Sequence, residues 1–247
     1  MSEPSVVHRI HAVPREGGEA GDYEDAAAIR GEEWPVCAAV ADGATESVFA
    51  GQWATTLVNG LADVDAMTES AVASTVADGR REWQSAVDEN EQESPWYVTA
   101  KVAEGAHATA LGLSVHPDGT WRAVSVGDCC LFQWREGARL RSWPFDAPDS
   151  FTNRPSLLPS QQGASVPSPT TASGTWQAGN TFALATDAVA AWLLGHRERG
   201  EDVAEVLRLD LEGFRERVKA ARERGDLRND DATLLVLKMT ALPAETK

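Results

Sequence analysis

Cysteine is scarce in this 247-residue chain: there are three, and none forms a Cys-x-x-Cys pair. That excludes a thiolate zinc site and a dithiol redox motif. Cys129 and Cys130 are adjacent, and neighbours along a strand point to opposite faces, which argues against a disulfide between them. The thiols read as reduced and cytoplasmic. Positive charge is also short, with 22 Lys and Arg against 38 Asp and Glu and a net charge of −16. A surface of that sign repels nucleic-acid phosphate and anionic lipid, so neither is an expected partner. No apolar run is long enough to span a bilayer, and the start Met1-Ser2-Glu3-Pro4 lacks a hydrophobic signal region. The expectation is a soluble cytoplasmic protein. Histidine offers no metal motif either: His8, His11, His107, His116 and His196 are scattered, with no pair at helical spacing.

What is present is an ordinary globular composition, 43% hydrophobic and 24% charged, enough for one large domain. Strands are expected over Val6–Ala12, Tyr23–Ile29 and Val36–Ala41. Glu16–Gly21 and Arg30–Glu33 are expected turns between them. Phe49, Trp53, Leu57 and Leu61 recur every four residues and predict a helix after Thr45. Val72, Val76, Trp83 and Val87 predict a second helix over Thr68–Glu89. Thr109–Val115 and Trp121–Val126 flank the turn residues His116-Pro117-Asp118-Gly119 and predict a hairpin. Leu131–Trp134 and Arg139–Trp143 read as further strands. Pro144–Asn180 is rich in Pro, Ser, Thr and Gly and too long for an ordinary connection. Thr181–Thr186 predicts a strand, Asp187–Leu194 a helix, and Ala232–Met239 the last strand. The stripe Leu207, Leu211, Phe214, Val218 and Ala221 predicts a late helix interrupted near Asp210. Strands joined by hairpins argue for an antiparallel α+β layered fold, not a doubly wound parallel sheet.

Five acidic motifs lie where these apolar runs begin or end: Glu24-Asp25, Asp42-Gly43, Gly127-Asp128, Asp187 and Asp230-Asp231. A carboxylate at a strand end is held rigidly, and several that converge repel one another unless a cation joins them. Carboxylate and carbonyl oxygens suit Mg²⁺ or Mn²⁺ over zinc. Asp42 is placed to bridge two cations, and Gly43 lets its carbonyl approach one of them. Taken singly, each motif reads more simply as a turn, a helix cap or a solvated pair.

Their order along the chain resembles the type 2C metal-dependent serine/threonine protein phosphatases, of the compact bacterial kind. The carriers are Glu24-Asp25-Ala26, Val40-Ala41-Asp42-Gly43-Ala44, Ala108-Thr109-Ala110 with Val126-Gly127-Asp128, Ala185-Thr186-Asp187, and Asn229-Asp230-Asp231-Ala232-Thr233. The resemblance runs from Tyr23 to Leu237. It implies a four-layer α-β-β-α sandwich with two central antiparallel sheets and a metal site at one end. It implies one catalytic domain over 1–247, with roughly 145–180 an irregular flap. It implies hydrolysis of phosphoserine and phosphothreonine on proteins by a water bridging two Mn²⁺ or Mg²⁺ ions. Asp42 would bridge the ions and Gly43 would lend its carbonyl. Asp187 and Asp230 would complete one shell, and Glu24 and Asp25 would hold the other ion. Asp128 would serve a third, weaker ion. Glu24, Asp25 and Asp128 are thereby the expected catalytic carboxylates, and Asp25, Asp42, Gly43, Asp187 and Asp230 the expected metal ligands.

The chain departs from the family pattern at several places: Ala188 replaces the Gly that usually follows the fourth motif's Asp, Ala44-Thr45-Glu46-Ser47 replaces a Gly-Gly stretch, and two further departures bear on the chemistry. Ala44 stands where many members carry a His proposed as general acid. Ala20 stands where some carry a phosphate-binding Arg, and Arg9, Arg15 and Arg154 are the candidates to replace it. Arg154, within the flap, is the expected substrate contact. The expected partners are a phosphorylated protein and a cognate serine/threonine kinase, with the chain itself a monomer. Two other readings stand beside this one: a regulatory or binding module that kept the fold with little or no turnover, and a phosphatase of small metabolites.

Overall fold

The computed structural model describes residues 4–18, 22–31, 34–44, 49–90, 105–152 and 154–241. Residues 19–21 and 32–33 of the two expected early turns, and 45–48 before the first expected helix, lie outside the described residues. Two antiparallel sheets form the centre. The first has the order β1-β11-β10-β6-β7. Its strands are β1 (Pro4–Val13), β6 (Cys130–Trp134), β7 (Arg141–Trp143), β10 (Thr181–Ala185) and β11 (Ala232–Ala241). The second has the order β2-β3-β4-β5-β9, with the short β8 (Leu158–Pro159) paired to β4. Its other strands are β2 (Asp25–Arg30), β3 (Val36–Gly43), β4 (His107–Val115), β5 (Thr120–Val126) and β9 (Thr170–Thr175).

Strand alternation explains the layers. In β3, Ala38 and Val40 face the other sheet, whereas Cys37, Ala39 and Ala41 face outward. Helices α1 (Ala50–Ala62) and α2 (Glu69–Asn90) cover that outward face through Trp53, Leu57, Leu61, Val72 and Val76. The small side chains of β3 let α1 lie close. In β11, Leu235, Leu237 and Met239 face inward, and Leu234 and Val236 face outward. There they meet α3 (Asp187–Glu198), α4 (Val203–Arg208) and α5 (Leu211–Arg224) through Leu193, Leu207, Phe214 and Val218. With both faces buried, such strands read as unbroken apolar runs. The result is the expected α-β-β-α sandwich. Among the described residues, no helix is long and apolar enough to cross a membrane.

The late helix breaks where expected. Asp210 accepts from the Gly213 N–H at 2.9 Å and caps α5, separating it from α4. The Pro/Ser/Thr-rich stretch is more tied down than its composition suggests, because it supplies β8 and β9. Trp53 Nε1 donates to the Leu158 carbonyl at 2.8 Å, and Arg80 Nε to the Pro159 carbonyl at 3.0 Å. Cys129 and Cys130 point to opposite sides of their sheet, as adjacent residues should. All three cysteines are buried and free.

Candidate metal centre

The layer between the sheets turns polar at one end. On the inward face, β11 runs Met239, Leu237, Leu235 and then Thr233. Similarly, β10 runs Phe182 and Leu184, and Thr186 comes next. From the other sheet, β2 runs Ile29, Ala27 and then Asp25; β3 runs Ala38, Val40 and then Asp42; β4 runs Leu113, Leu111 and then Thr109. Register aligns these ends. Asp25 lies opposite Asp42, Asp42 opposite Thr109, and the Thr186 N–H donates to the Thr233 carbonyl at 3.2 Å. The period-two pattern therefore carries polar side chains from both sheets to one level.

Three carboxylates converge there. Asp42, Asp128 and Asp187 each offer an oxygen within 4.8 Å of the others'. Asp187 is the first residue of α3, where the helix N-terminus favours negative charge. Asp128 is delivered by Gly127, whose φ of 97° suits glycine. A Cβ on Gly127 would sit 2.5 Å from Thr109 Cγ2 and 2.9 Å from the Ser156 carbonyl oxygen. Gly43 is required for a reason the sequence did not suggest. A Cβ there would meet the Ala50 carbonyl carbon at 2.7 Å, so only glycine lets α1 begin against the end of β3.

The other expected residues surround this cluster. Asp25 Oδ2 accepts from Thr186 Oγ1 at 2.8 Å, and the Thr233 hydroxyl also hydrogen-bonds Asp25. Glu24 pairs with Arg15 Nη1 at 2.9 Å, and its carbonyl accepts from the Gly43 N–H at 3.1 Å. Asp230 lies 3.0 Å from Arg228 Nη2, and the same Arg228 nitrogen also pairs with Asp187. Arg154 is exposed, with its backbone N–H directed at Thr152 Oγ1 at 3.3 Å. Among the described residues, the guanidiniums that pair with the site carboxylates are Arg15 and Arg228. A cleft of about 600 Å³, lined by Arg15, Tyr23, Glu24, Asp25 and Phe49, opens beside the site.

Asp231 has a structural task. Its Oδ1 accepts from the Arg15 N–H at 2.9 Å and its Oδ2 from the Glu24 N–H at 2.7 Å, and the residue is buried. One carboxylate thus ties the exit of β1 and the entry of β2 to the start of β11. Asp231→Ala leaves two backbone donors without that partner and is expected to destabilise the fold by about 2–4 kcal/mol. Urea unfolding of parent and variant measures this directly.

The electrostatics of the cluster favour a cation. Burial, then repulsion from Asp25, Asp187, Asp128 and Asp230, holds the Asp42 carboxyl well above the usual carboxylate range. Burial raises Asp25 well above that range too, against the pull of the Thr233 and Thr186 hydroxyls. Asp128 is pushed up to about 7 by burial and by Asp187. Asp187 is raised by burial although Arg228 opposes the shift. Asp128 is 3% exposed, and its Oδ1 is buried with no hydrogen-bond partner. Crowded carboxylate oxygens with an orphaned acceptor among them fit a hard divalent cation.

Sequence reasoning gave Thr186, Thr233 and Arg228 no role, named Arg15 only as a candidate for substrate phosphate, and took Asp231 only with Asp230 in its motif. Extending the strand alternation by one step would have found the two threonines. The arginines carry no such signal, since each reaches its partner through the fold.

The family described as Protein phosphatase 2C matches residues 22–235. No curated protein sequence matches the chain. Among solved structures it is similar to the catalytic domain of the serine threonine protein phosphatase PstP in complex with two manganese ions. That pair has a TM-score of 0.61 and 16% identity, over 96% of this chain and 99% of that one. RsbX in complex with magnesium gives 0.57 and 15%, over 95% and 96%. PppA, a regulatory component of T6SS in Pseudomonas aeruginosa, gives 0.61 and 15%, over 95% and 98%. Identities this low speak for a shared fold. The family match covers most of the chain and includes all five acidic motifs, so the chain belongs to the protein phosphatase 2C family.

Proposed function

We propose that the chain is a metal-dependent phosphatase that hydrolyses phosphoserine and phosphothreonine esters on proteins, using two Mn²⁺ or Mg²⁺ ions. The observation that carries this reading is the convergence of Asp42, Asp128 and Asp187 with Asp128 Oδ1 left unpartnered. Asp42, Asp187 and Asp230 would hold one ion. Asp42, the Gly43 carbonyl, Glu24 and Asp25 would hold the second, and Asp128 a weaker third. Bound ions supply charge neutralisation for the phosphoryl group and a more acidic water. The chain's own contribution is orientation. Thr186 and Thr233 fix Asp25, strand pairing fixes Asp42 opposite it, and the N-terminus of α3 fixes Asp187. Arg15, at the edge of the cleft, offers the guanidinium that a phosphate monoester needs. Ala44 brings no side-chain proton donor to the site. The name of the manganese-bound relative, a serine threonine protein phosphatase, supports a protein substrate.

A binding or regulatory module with weak turnover remains the second reading. It draws on one observation: Glu24, Asp187 and Asp230 already have guanidinium partners. A panel of phosphoserine, phosphothreonine and phosphotyrosine peptides and phosphorylated metabolites, assayed with and without Mn²⁺, separates these readings. Mn²⁺-dependent turnover of the first two peptides is expected. Turnover only of metabolites moves the substrate class, and no turnover of any supports the module.

A further inference from the structure

Arg228 pairs with two carboxylates that the metal-dependent reading gives to one ion. The same Nη2 meets Asp187 Oδ2 and lies 3.0 Å from Asp230 Oδ2. These two carboxylates would complete the shell of one ion. We propose that Arg228 is a built-in counter-ion of this centre, holding the Asp187–Asp230 pair in the ion-free chain and competing with the divalent ion for it. This rests on the metal-dependent reading above and deepens it, since it assigns a residue that sets ion affinity.

Several observations make the guanidinium a displaceable occupant. Its side chain is 51% exposed while that of Asp187 is 10% exposed, so the arginine has a route to solvent and the carboxylate does not. The backbone around it is held by other groups. Arg222 Nη2 donates to the Asp230 carbonyl at 2.5 Å and its Nη1 to the Pro14 carbonyl at 2.9 Å. The Asp231 N–H donates to Asp230 Oδ1 at 2.9 Å. The loop that presents Asp230 therefore keeps its place without the Arg228 side chain. Arg228 and a divalent ion also exclude each other. They would share oxygens of Asp187 and Asp230, and two cations at that separation repel. Ion binding must break the pair, so the apparent affinity is lowered by the stability of the pair. The displaced guanidinium stays at the rim of the site.

The full chain, stripped of metal with a chelator, can be titrated calorimetrically with Mn²⁺ alone. Arg228→Met should bind Mn²⁺ roughly tenfold more tightly than the parent. Arg228→Lys keeps the charge but not the planar fork and should fall between the two. Arg224→Met makes the same change in net charge at an exposed pair with Asp226, and should match the parent. The direction of the change is diagnostic, because losing a merely structural residue weakens ion binding whereas losing a competitor strengthens it. Equal or weaker binding by Arg228→Met, with the parent binding normally, overturns the role of Arg228 and leaves the metal reading standing. If Arg228→Met does not fold, Arg228→Lys decides in the same way. If neither parent nor variants bind Mn²⁺, the metal reading falls and this inference falls with it.

Discussion

Asp42→Asn is expected to lose about 10³-fold or more in phosphatase turnover and, in metal-free buffer, to melt higher than the parent. The loss follows from position. Asp42 stands opposite Asp25 on the neighbouring strand and within 4.8 Å of Asp128 and Asp187, where both ions would share it. Removing a preorganised charged element from a hydrolytic site commonly costs about this much. The gain in stability follows from the same position. Burial and four neighbouring carboxylates oppose the Asp42 charge, and an amide of equal size removes that repulsion. A gain of about 1–2 kcal/mol, or roughly 2–8 °C for a chain of this length, is expected. Calorimetry in chelator and an activity assay in Mn²⁺ read the two effects separately. A variant that lost both activity and stability would mark Asp42 as a structural residue.

Metal-free protein should become less stable as pH rises, the reverse of ordinary acid denaturation. A carboxyl whose pKa is raised by folding binds its proton more tightly in the folded chain. Its contribution is full below the unfolded pKa, about 3.9, and is lost as pH rises through the folded value. For Asp128 that value is about 7. Asp25, Asp42 and Asp187 are shifted in the same direction by burial first and by neighbours of like charge. His11, held below its ordinary value by burial, works the other way, as one group against four. The ion-free chain is therefore expected to melt higher at pH 6 than at pH 8. Saturating Mn²⁺ or Mg²⁺ should raise the melting temperature much more at pH 8, where the carboxylates are charged. Melting curves with the same pH dependence in chelator and in Mn²⁺ would contradict the placement of these groups around an ion.

Long apolar elements declared themselves because burial on both faces leaves little choice of residue. Val36–Ala41 reads as a strand for that reason, and Asp210 broke a helical stripe because its side chain caps α5. The edge strand β9, Thr170-Thr171-Ala172-Ser173-Gly174-Thr175, did not stand out. It is largely exposed, so small polar residues replace an apolar alternation there. The carboxylates of the site were visible through their order along the chain, while each alone looked like a turn or a cap. Asp42 and Gly43 proved to lie within β3, which explains how strand pairing fixes Asp42 against Asp25. Arg228, and the pairing of Arg15 with Glu24, were hidden for a different reason. Arg15 reaches Glu24 and Arg228 reaches Asp187 only after the sheets and loops have folded, and no spacing rule links an arginine to a carboxylate brought near in that way.

The centre is tested most directly by phosphate release from a phosphoserine peptide, using metal-stripped chain to which Mn²⁺ is then added. Release is expected to begin with Mn²⁺ in the parent and to stay near background in Asp42→Asn. Equal release by the two proteins, or none from the parent at saturating Mn²⁺, would contradict the assignment of these carboxylates to a metal-dependent phosphatase site.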